Sequence, residues 1–171
     1  VRVDLCVREA TLRAIASIED VIGVIHFAAF KSVPESVSDP GLYYRNNIGG
    51  LVTMCQTMRR HGCRRFVYSS SATVYGDPAS LPIREDYPLA ATNPYGQTKL
   101  IGETILRDLG HADRQWQTGC LRYFNPVGAH DSGLIGEDPR GTPNNLMPYV
   151  AQVAVGRRPK LAVFGNDYST P

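Results

Sequence analysis

A tyrosine and a lysine four residues apart are the residues of this sequence best suited to acid–base chemistry. They are Tyr95 and Lys99, and Asn93 and Pro94 just before them are typical of the start of a helix. Both side chains would then lie on one helix face, with the ammonium group near the phenol. A free tyrosine has a pKa of about 10, and a neighbouring positive charge lowers that value. The pair therefore predicts an acid/base for a sugar or alcohol hydroxyl.

A run of three serines upstream supports this interpretation, because Tyr-x-x-x-Lys alone is more often part of a solvated helix face. Ser69, Ser70 and Ser71 follow the apolar residues 66–68. If these residues form a strand of a parallel sheet, the strand delivers the hydroxyls to the carboxyl edge, where such sheets bind ligands. The sequence thus predicts a group of hydroxyls at a ligand-binding edge.

The segments around these residues alternate between strand-like and helix-like patterns. Apolar runs predict strands at residues 21–27, 65–71, 119–124 and 161–164, and the end of a strand at residues 1–5. Amphipathic spacing predicts helices at residues 8–20, 40–61, 94–109 and 145–155. The alternation predicts an α/β fold with a doubly wound parallel sheet and helices on both faces. The carboxyl edge of that sheet would bring together residues 28–31, 69–71 and 124–125.

Two features inside these elements have alternative interpretations. An asparagine pair at residues 46–47 and a glycine pair at residues 49–50 interrupt the long helix at 40–61. Each glycine costs roughly 1 kcal/mol in a helix, which suggests either close packing against another backbone or a ligand-facing asparagine. His26, inside a predicted strand, is expected to pack in the core rather than to bind a ligand.

The composition is that of a globular protein and argues against several partners. The 171 residues are 43% hydrophobic and 20% charged, and the net charge of +2 forms no basic stripe, so a nucleic-acid partner is not indicated. No apolar run approaches the ~20 residues of a membrane span, so we expect no membrane partner. Four scattered cysteines without a C-x-x-C motif indicate reduced thiols, a cytoplasmic location and no metal site.

Both ends of the chain look like positions inside a longer protein. The chain begins at Val1, in what reads as a strand entered midway, and it stops abruptly at Pro171. The expectation from the sequence is an internal fragment.

Six segments of the chain, in order, resemble the UDP-glucose 4-epimerase family, a branch of the extended short-chain dehydrogenases/reductases. The segments are residues 69–76, 94–99, 121–126, 136–139, 144–148 and 164–168. The resemblance covers essentially the whole chain and implies a Rossmann-like fold with tightly bound NAD. Residues 1–126 would be the remainder of the NAD-binding domain, and residues 127–171 would begin a UDP-sugar-binding region. The resemblance also implies a homodimer and a role in galactose metabolism.

The resemblance further implies roles for individual residues. The catalytic residues would be Ser71, Tyr95 and Lys99. Beside these three, the residues that contact NAD would be Asp4, Leu5, Phe27, Ala28, Ala29, Phe30, Lys31, Asn46 and Phe124. Beside Ser71 and Tyr95, the residues that hold the UDP-sugar would be Asn125, Asn145, Leu146, Ala162, Val163 and Phe164.

The activity implied by the resemblance is the interconversion of UDP-glucose and UDP-galactose by transient oxidation at C4 of the sugar. Tyr95 would take the proton of the 4-hydroxyl, and Ser71 would hydrogen-bond the reacting oxygen. Lys99 would keep Tyr95 ionised and bond the nicotinamide ribose. Dehydratases of similar fold place acidic residues after the hydroxyl residue, whereas Ala72 and Thr73 stand here, so elimination of water is disfavoured.

Departures from the family pattern leave two alternatives open. Ala29 and Pro34 stand where relatives commonly carry glycine, and Gln97 stands where they carry lysine. The chain also has no glycine-rich strand–loop–helix segment to hold the pyrophosphate, so we expect it to be inactive by itself. The first alternative is therefore a non-catalytic fragment. The second alternative is an epimerase for a related substrate, either a UDP-N-acetylhexosamine or a UDP-pentose.

Overall fold

The computed structural model of the chain describes residues 1–167. They fall into two compact units, one at Val1–Phe124 and a smaller one that begins at Asn125. Tyr168, the last residue of the sequence motif at 164–168, lies outside the described residues. Within residues 1–167, no helix is long and apolar enough to cross a membrane. The same residues contain no cluster of three or more side chains suited to hold a metal ion.

The larger unit is built on a sheet of three parallel strands in the order β1–β2–β3. The strands are β1 at Val24–His26, β2 at Arg65–Ser71 and β3 at Gln117–Tyr123. Val24 lies opposite Phe66, and Ser71 at the end of β2 lies opposite Tyr123 at the end of β3. Parallel strands joined by helical crossovers confirm the predicted Rossmann-like α/β fold.

Helices precede and connect these strands, close to where the sequence predicts them. In chain order they are α1 at Arg8–Ala16, α2 at Val33–Ser38, α3 at Pro40–Tyr43, α4 at Gly49–Arg60 and α5 at Pro94–Ala112. A single 3₁₀ turn, Ala72–Tyr75, follows β2 directly. The smaller unit contains α6 at Leu146–Ala154. The predicted helices at 8–20, 94–109 and 145–155 thus differ from the observed ones only in their ends.

The predicted long helix at residues 40–61 is confirmed, with a change of helical type in its middle. Between α3 and α4, Tyr44–Ile48 forms a π-helical segment that contains both asparagines. Segments of this kind are frequent at functional sites. The glycines after it allow close packing, because a Cβ on Gly50 would lie 3.3 Å from the Cβ of Leu5. Close packing against Leu5 therefore accounts for Gly50, whereas a Cβ on Gly49 would make only an ordinary contact, 3.9 Å from Cys6 Sγ.

Three segments differ from the sequence-based prediction. The segment between the predicted strand at 21–27 and the predicted helix at 40–61, for which no helix is predicted, contains α2. This helix forms because the Ser32 hydroxyl accepts a hydrogen bond from the Glu35 N–H and Pro34 lies in the first turn. β1 is limited to residues 24–26, since only these pair with β2. Residues 1–5 and 161–164 form no strand, because within residues 1–167 no segment pairs with them.

The main core lies between helices and one face of the sheet. Its largest fully buried side chains in β2, α4 and α5 are Phe66, Tyr68, Leu51, Met58 and Leu106. Side chains alternate along a strand, so Ile25 and Leu121 point to the opposite face, where they are 66% and 44% exposed. The expectation that β1 is buried on both faces is therefore not met within the described residues.

His26 packs in this core, as predicted. Its ring centroid lies 5.6 Å from that of Phe66 and 6.0 Å from that of Tyr68. Burial, followed by the nearby charge of Lys99, lowers the pKa of His26 to about 4. The imidazole is therefore neutral at physiological pH and acts as an aromatic core residue.

The close approach of α5 to the sheet leads to a prediction about stability. A Cβ on Gly102 would lie only 2.6 Å from Cζ of Tyr68, whose ring is itself buried. The ring cannot swing away without disrupting the core, so Gly102→Ala is expected to lower the free energy of unfolding by about 1–3 kcal/mol. Urea unfolding of the purified chain measures this change.

Gly110, near the end of the same helix, provides a matched control. Nothing lies within 4 Å of the position that its Cβ would occupy. Gly110→Ala is therefore expected to raise the free energy of unfolding by up to about 1 kcal/mol, because alanine has the higher helix propensity. Equal effects of the two substitutions would contradict the packing described for Gly102.

Candidate active site

Ser71 ends β2 and is held by the first residues of the 3₁₀ turn that follows. Its Oγ accepts hydrogen bonds from the Thr73 backbone N–H at 3.2 Å and from the Thr73 hydroxyl at 2.9 Å. The residue is only 8% exposed. β2 therefore places the Ser71 hydroxyl at the carboxyl edge of the sheet, as predicted.

Tyr95 lies in the first turn of α5, whose start forms as the sequence predicts. The Asn93 side chain caps the helix by accepting from the Gly96 N–H at 2.8 Å. The Tyr95 N–H, which has no partner inside the helix, donates to Ser36 Oγ of α2 at 3.1 Å. Ser36 is fully buried. The first turn of α5 is therefore held by two contacts, the cap from Asn93 and the hydrogen bond from the Tyr95 N–H to Ser36.

Lys99 is the most deeply buried cation near Tyr95, at 3% exposure. Its Nζ donates to the Ser69 carbonyl oxygen at 2.7 Å. The same ammonium lies 5.1 Å from the ring centroid of Tyr68 and 5.7 Å from that of Tyr95, within the range of cation–π attraction. Burial lowers the pKa of Lys99 to about 8. The predicted proximity of the ammonium to Tyr95 is therefore present.

The pKa of Tyr95 differs from the sequence-based expectation. Burial raises the pKa of the Tyr95 phenol above its usual value, and the hydrogen-bonding influence of Ser71 opposes this rise. The expected lowering by Lys99 does not dominate, because the ammonium donates to the Ser69 carbonyl and approaches the tyrosine through its ring. In the chain alone, Tyr95 is thus protonated at neutral pH.

A buried asparagine ties the predicted cofactor loop at residues 27–31 to α5. The Asn47 side chain accepts from the Phe30 N–H at 2.9 Å and donates to the Phe30 carbonyl at 3.1 Å. It also donates to the Thr98 hydroxyl at 3.0 Å, next to Lys99 in the chain. Sequence reasoning selected Asn46, whose amide donates to Asn47 Oδ1 at 3.0 Å, and missed this role of its neighbour. The available signal was a second asparagine inside a helix.

The carboxyl ends of β1 and β3 expose apolar and small side chains. Phe27 and Phe124 are 63% and 62% exposed, and Phe30 is 40% exposed. Ala28 and Lys31 are exposed as well, while Ala29 is half-buried. Exposed aromatic rings beside small residues fit a planar ligand that stacks on a sheet edge.

Asp4 and Leu5, the other predicted cofactor residues, lie in a turn against the long helix. Asp4 Oδ1 accepts from the Cys6 N–H at 2.9 Å. The Cys6 thiol in turn donates to the Arg45 carbonyl of the π-helical segment at 3.4 Å. Residues 4 and 5 therefore lie against the helical segment that contains Asn46. Side-chain contacts hold them there, and they form no strand.

An ion pair between a half-buried arginine and a buried glutamate, which the sequence did not indicate, joins α5 to β3. Arg122 donates to Glu103 through Nε at 3.0 Å and through Nη2 at 2.8 Å. Glu103 also accepts from the Ser70 hydroxyl at 2.5 Å, and Arg122 donates to the Tyr75 hydroxyl at 2.8 Å. The pair therefore ties the residues on both sides of Ser71 to the helix of Tyr95.

The predicted sugar-nucleotide residues lie in the smaller unit, where the structure brings few of them together. Asn145 donates to Glu137 Oε1 at 3.3 Å, and Leu146 begins α6 with its side chain 64% exposed. Val163 and Phe164 are 81% and 90% exposed, and Asn125 and Ala162 are also exposed.

Comparisons with known sequences agree with one another on the family of this chain. The sequence profile of the NAD dependent epimerase/dehydratase family matches residues 1–169. UDP-glucose 4-epimerase of Bacillus subtilis is 60% identical over 167 residues, which are 98% of this chain and 49% of that protein. UDP-glucose 4-epimerase of Dictyostelium discoideum is 58% identical over 163 residues, which are 95% of this chain and 47% of that protein. The chain spans about half the length of these relatives.

Solved structures show the same similarity. The epimerase of Bifidobacterium longum, in complex with NAD+ and UDP, superposes with a TM-score of 0.92 at 49% identity, over 100% of this chain and 51% of that chain. The enzyme of Stenotrophomonas maltophila, with bound NAD and formylated UDP-arabinopyranose, superposes with a TM-score of 0.91 at 46% identity, over 99% of this chain and 50% of that chain.

Proposed function

Because this chain belongs to the NAD dependent epimerase/dehydratase family, we propose that its residues interconvert UDP-glucose and UDP-galactose. The observation that carries the proposal is the placement of the Ser71 hydroxyl, the Tyr95 phenol and the Lys99 ammonium around one sheet edge. Ser71 ends β2, and Lys99 binds the carbonyl of Ser69 in the same strand. An alcohol bound at this edge would meet one proton-transfer group and one further hydroxyl.

The residues present fit NAD as the cofactor. Phe27, Phe30 and Phe124 offer exposed rings, and Ala28 and Ala29 allow close approach to the backbone. We propose that the other residues implied by the family resemblance, Asp4, Leu5, Lys31 and Asn46, also contact the cofactor. When bound, NAD supplies hydride transfer to and from C4 of the sugar.

In the proposed mechanism, Tyr95 moves the proton of the sugar 4-hydroxyl through its phenol oxygen. Ser71 donates a hydrogen bond to the same reacting oxygen and holds it in place. Lys99 contributes its positive charge next to the ring, which favours the phenolate that Tyr95 must form before it can take up the proton. General acid–base catalysis of this kind contributes typically ~10²–10⁴-fold to the rate.

Epimerisation is supported over elimination by the residues after Ser71. Ala72 has no acidic group, and the Thr73 hydroxyl is already engaged as a donor to Ser71. No group there is suited to protonate a leaving hydroxyl.

For the UDP-sugar we propose the residues of the smaller unit that the family resemblance implies: Asn125, Asn145, Leu146, Ala162, Val163 and Phe164. A homodimer, a cytoplasmic location and a role in galactose metabolism belong to the same proposal.

A chimaeric enzyme tests this function directly. The matching segment of the Bacillus subtilis UDP-glucose 4-epimerase is replaced by this chain, and UDP-galactose turnover is followed with the unmodified enzyme as control. We expect epimerase activity within about tenfold of the control, since all proposed catalytic groups are supplied by the insert. A folded, NAD-containing chimaera without turnover would contradict the proposal, and a product that has lost water would indicate a dehydratase.

A non-catalytic role is the alternative for the chain by itself. It is separated from the main proposal by measuring NAD in the purified 171-residue chain. We expect no stoichiometric NAD and no turnover there, because the sequence has no glycine-rich phosphate-binding turn. Bound NAD in that preparation would show that the chain holds the cofactor without further residues.

A further inference from the structure

An ion pair outside the proposed catalytic set is connected to the chain on both sides of Ser71. We propose that Glu103 and Arg122 are positioning residues, which fix the end of β2 and the turn after it on α5, the helix of Tyr95. The catalytic consequence of this arrangement rests on the proposed function. The arrangement itself rests on hydrogen bonds between described residues of the larger unit.

Two consecutive residues at the end of β2 are bound by one face of α5. The Ser69 carbonyl accepts from Lys99 Nζ at 2.7 Å. The Ser70 hydroxyl, in a residue that is only 2% exposed, donates to Glu103 Oε1 at 2.5 Å. Because Lys99 and Glu103 are four residues apart, they lie on the same side of the helix. This helix face therefore holds the strand immediately before Ser71.

Arg122 extends the same network to the segment after Ser71. Its Nε and Nη2 donate to Glu103 at 3.0 Å and 2.8 Å. Its Nη1 donates to the Tyr75 hydroxyl at 2.8 Å and to the Glu85 carbonyl at 3.1 Å. Tyr75 is buried and ends the 3₁₀ turn, and Glu85 lies in the loop between that turn and α5. One guanidinium group therefore joins the helix, the turn and the loop.

The geometry of Arg122 indicates that the pair does more than neutralise a charge. Arginine carries five N–H donors in a fixed fork, and Arg122 directs its donors to three different residues. A lysine ammonium would keep the positive charge beside Glu103, but it is a compact group without this fork. Charge pairing alone therefore does not require an arginine, whereas holding turn and loop in one arrangement does.

The double variant Glu103→Leu with Arg122→Met separates positioning from stability. It removes both charges, so most of the stability should be kept, but it offers no acceptor to Ser70 and no donor to Tyr75. In the chimaeric enzyme we expect kcat for UDP-galactose to fall by about 10–10²-fold, since a displacement of about 1 Å has effects of this size. KM should change by less than about threefold, because no proposed sugar-nucleotide contact is removed.

The ion pair between Arg64 and Asp113 provides the matched control. It joins the same strand and helix at their opposite ends, with Arg64 just before β2 and Asp113 just after α5. The side chain of Arg64 is 22% exposed, as is that of Arg122. Arg64→Met with Asp113→Asn should leave kcat within about twofold, because no residue at the carboxyl edge of the sheet is changed.

Amide hydrogen exchange in the 171-residue chain tests the arrangement without turnover. The Thr73 N–H donates to Ser71 Oγ at 3.2 Å, so its exchange rate reports on the 3₁₀ turn. In the same double variant we expect this amide to exchange at least about tenfold faster, the factor that corresponds to losing a hydrogen bond to a charged group. The Phe30 N–H, which donates to Asn47 Oδ1, should keep its rate and exclude a general loss of stability as the cause.

A double variant with the kcat of the unsubstituted chimaera, or with unchanged exchange at Thr73, would overturn the proposal, since the pair would then contribute to stability alone. Arg122→Lys replaces the double variant if the latter does not fold, and the same two changes are expected because the fork is lost. If the unsubstituted chimaera has no activity, the epimerase proposal fails. The exchange rates then still decide whether Glu103 and Arg122 fix the turn.

Discussion

Tyr95→Phe in the chimaeric enzyme is expected to lower the turnover of UDP-galactose by ~10²–10⁴-fold. The substitution removes only the phenol oxygen, which is the proposed site of proton transfer. The ring that lies 5.7 Å from the Lys99 ammonium remains, and so does the backbone bond to Ser36. The fold and the NAD content should therefore be unchanged, which circular dichroism and cofactor release measure beside the rate.

Tyr87→Phe is the control for this substitution. Among residues 1–167, its hydroxyl hydrogen-bonds only to the exposed Ser80 hydroxyl, at 2.7 Å, in the loop between the 3₁₀ turn and α5. Removing it should leave the rate within about twofold of the unsubstituted chimaera, since no proposed catalytic group is touched. If Tyr95→Phe retained a similar rate, Tyr95 would not be the acid/base.

Arg122→Met is expected to lower the free energy of unfolding of the chain by about 3–5 kcal/mol. The substitution leaves the carboxylate of Glu103, which is buried to 8% exposure, without its only cationic partner in the described residues. A buried charge that loses its partner pays the full desolvation cost. Urea unfolding of the purified chain at neutral pH measures the difference.

Two further variants decide whether this loss comes from the unpaired charge. Glu103→Leu combined with Arg122→Met removes both charges and is expected to recover most of the stability. Arg84→Met breaks an ion pair whose side chains are 72% and 70% exposed, so it should cost less than about 1 kcal/mol. A double variant as unstable as Arg122→Met would show that packing, and not the charge of Glu103, dominates.

The parts of the site that follow from local signals could be predicted from the sequence. Asn93 and Pro94 determine where α5 begins, and this fixes the position of Tyr95 and Lys99 on one helix face. The apolar run before Ser71 determines that it ends a strand. Each of these predictions depends only on residues within a few positions of the site.

The parts that depend on distant partners could not be predicted in the same way. The Glu103 and Arg122 side chains meet because α5 packs on β2 and β3, and no spacing in the sequence indicates that contact. The pKa of Tyr95 depends on how deeply the fold buries the phenol, so a rule based on the neighbouring charge gave the wrong direction. Burial is a property of the assembled fold.

The segment at residues 161–164 illustrates a further limit. Its apolar residues satisfy the pattern of a short strand, but a strand also requires a neighbour with which to pair. The described chain provides none there, and Phe164 is 90% exposed. Hydrophobic pattern alone therefore cannot distinguish a strand from an extended segment.

The pairing of the sheet also determines the order in which the site can form. β1 pairs with residues about forty positions later in the chain, and β2 pairs with residues about fifty positions later. Such non-local pairings require long loops to close before any contact is gained, which slows folding. During synthesis, Ser71 and Tyr95 leave the ribosome before β3 exists to pair with β2. One edge of β2, the strand that Ser71 ends, therefore stays unpaired until residue 123 has emerged.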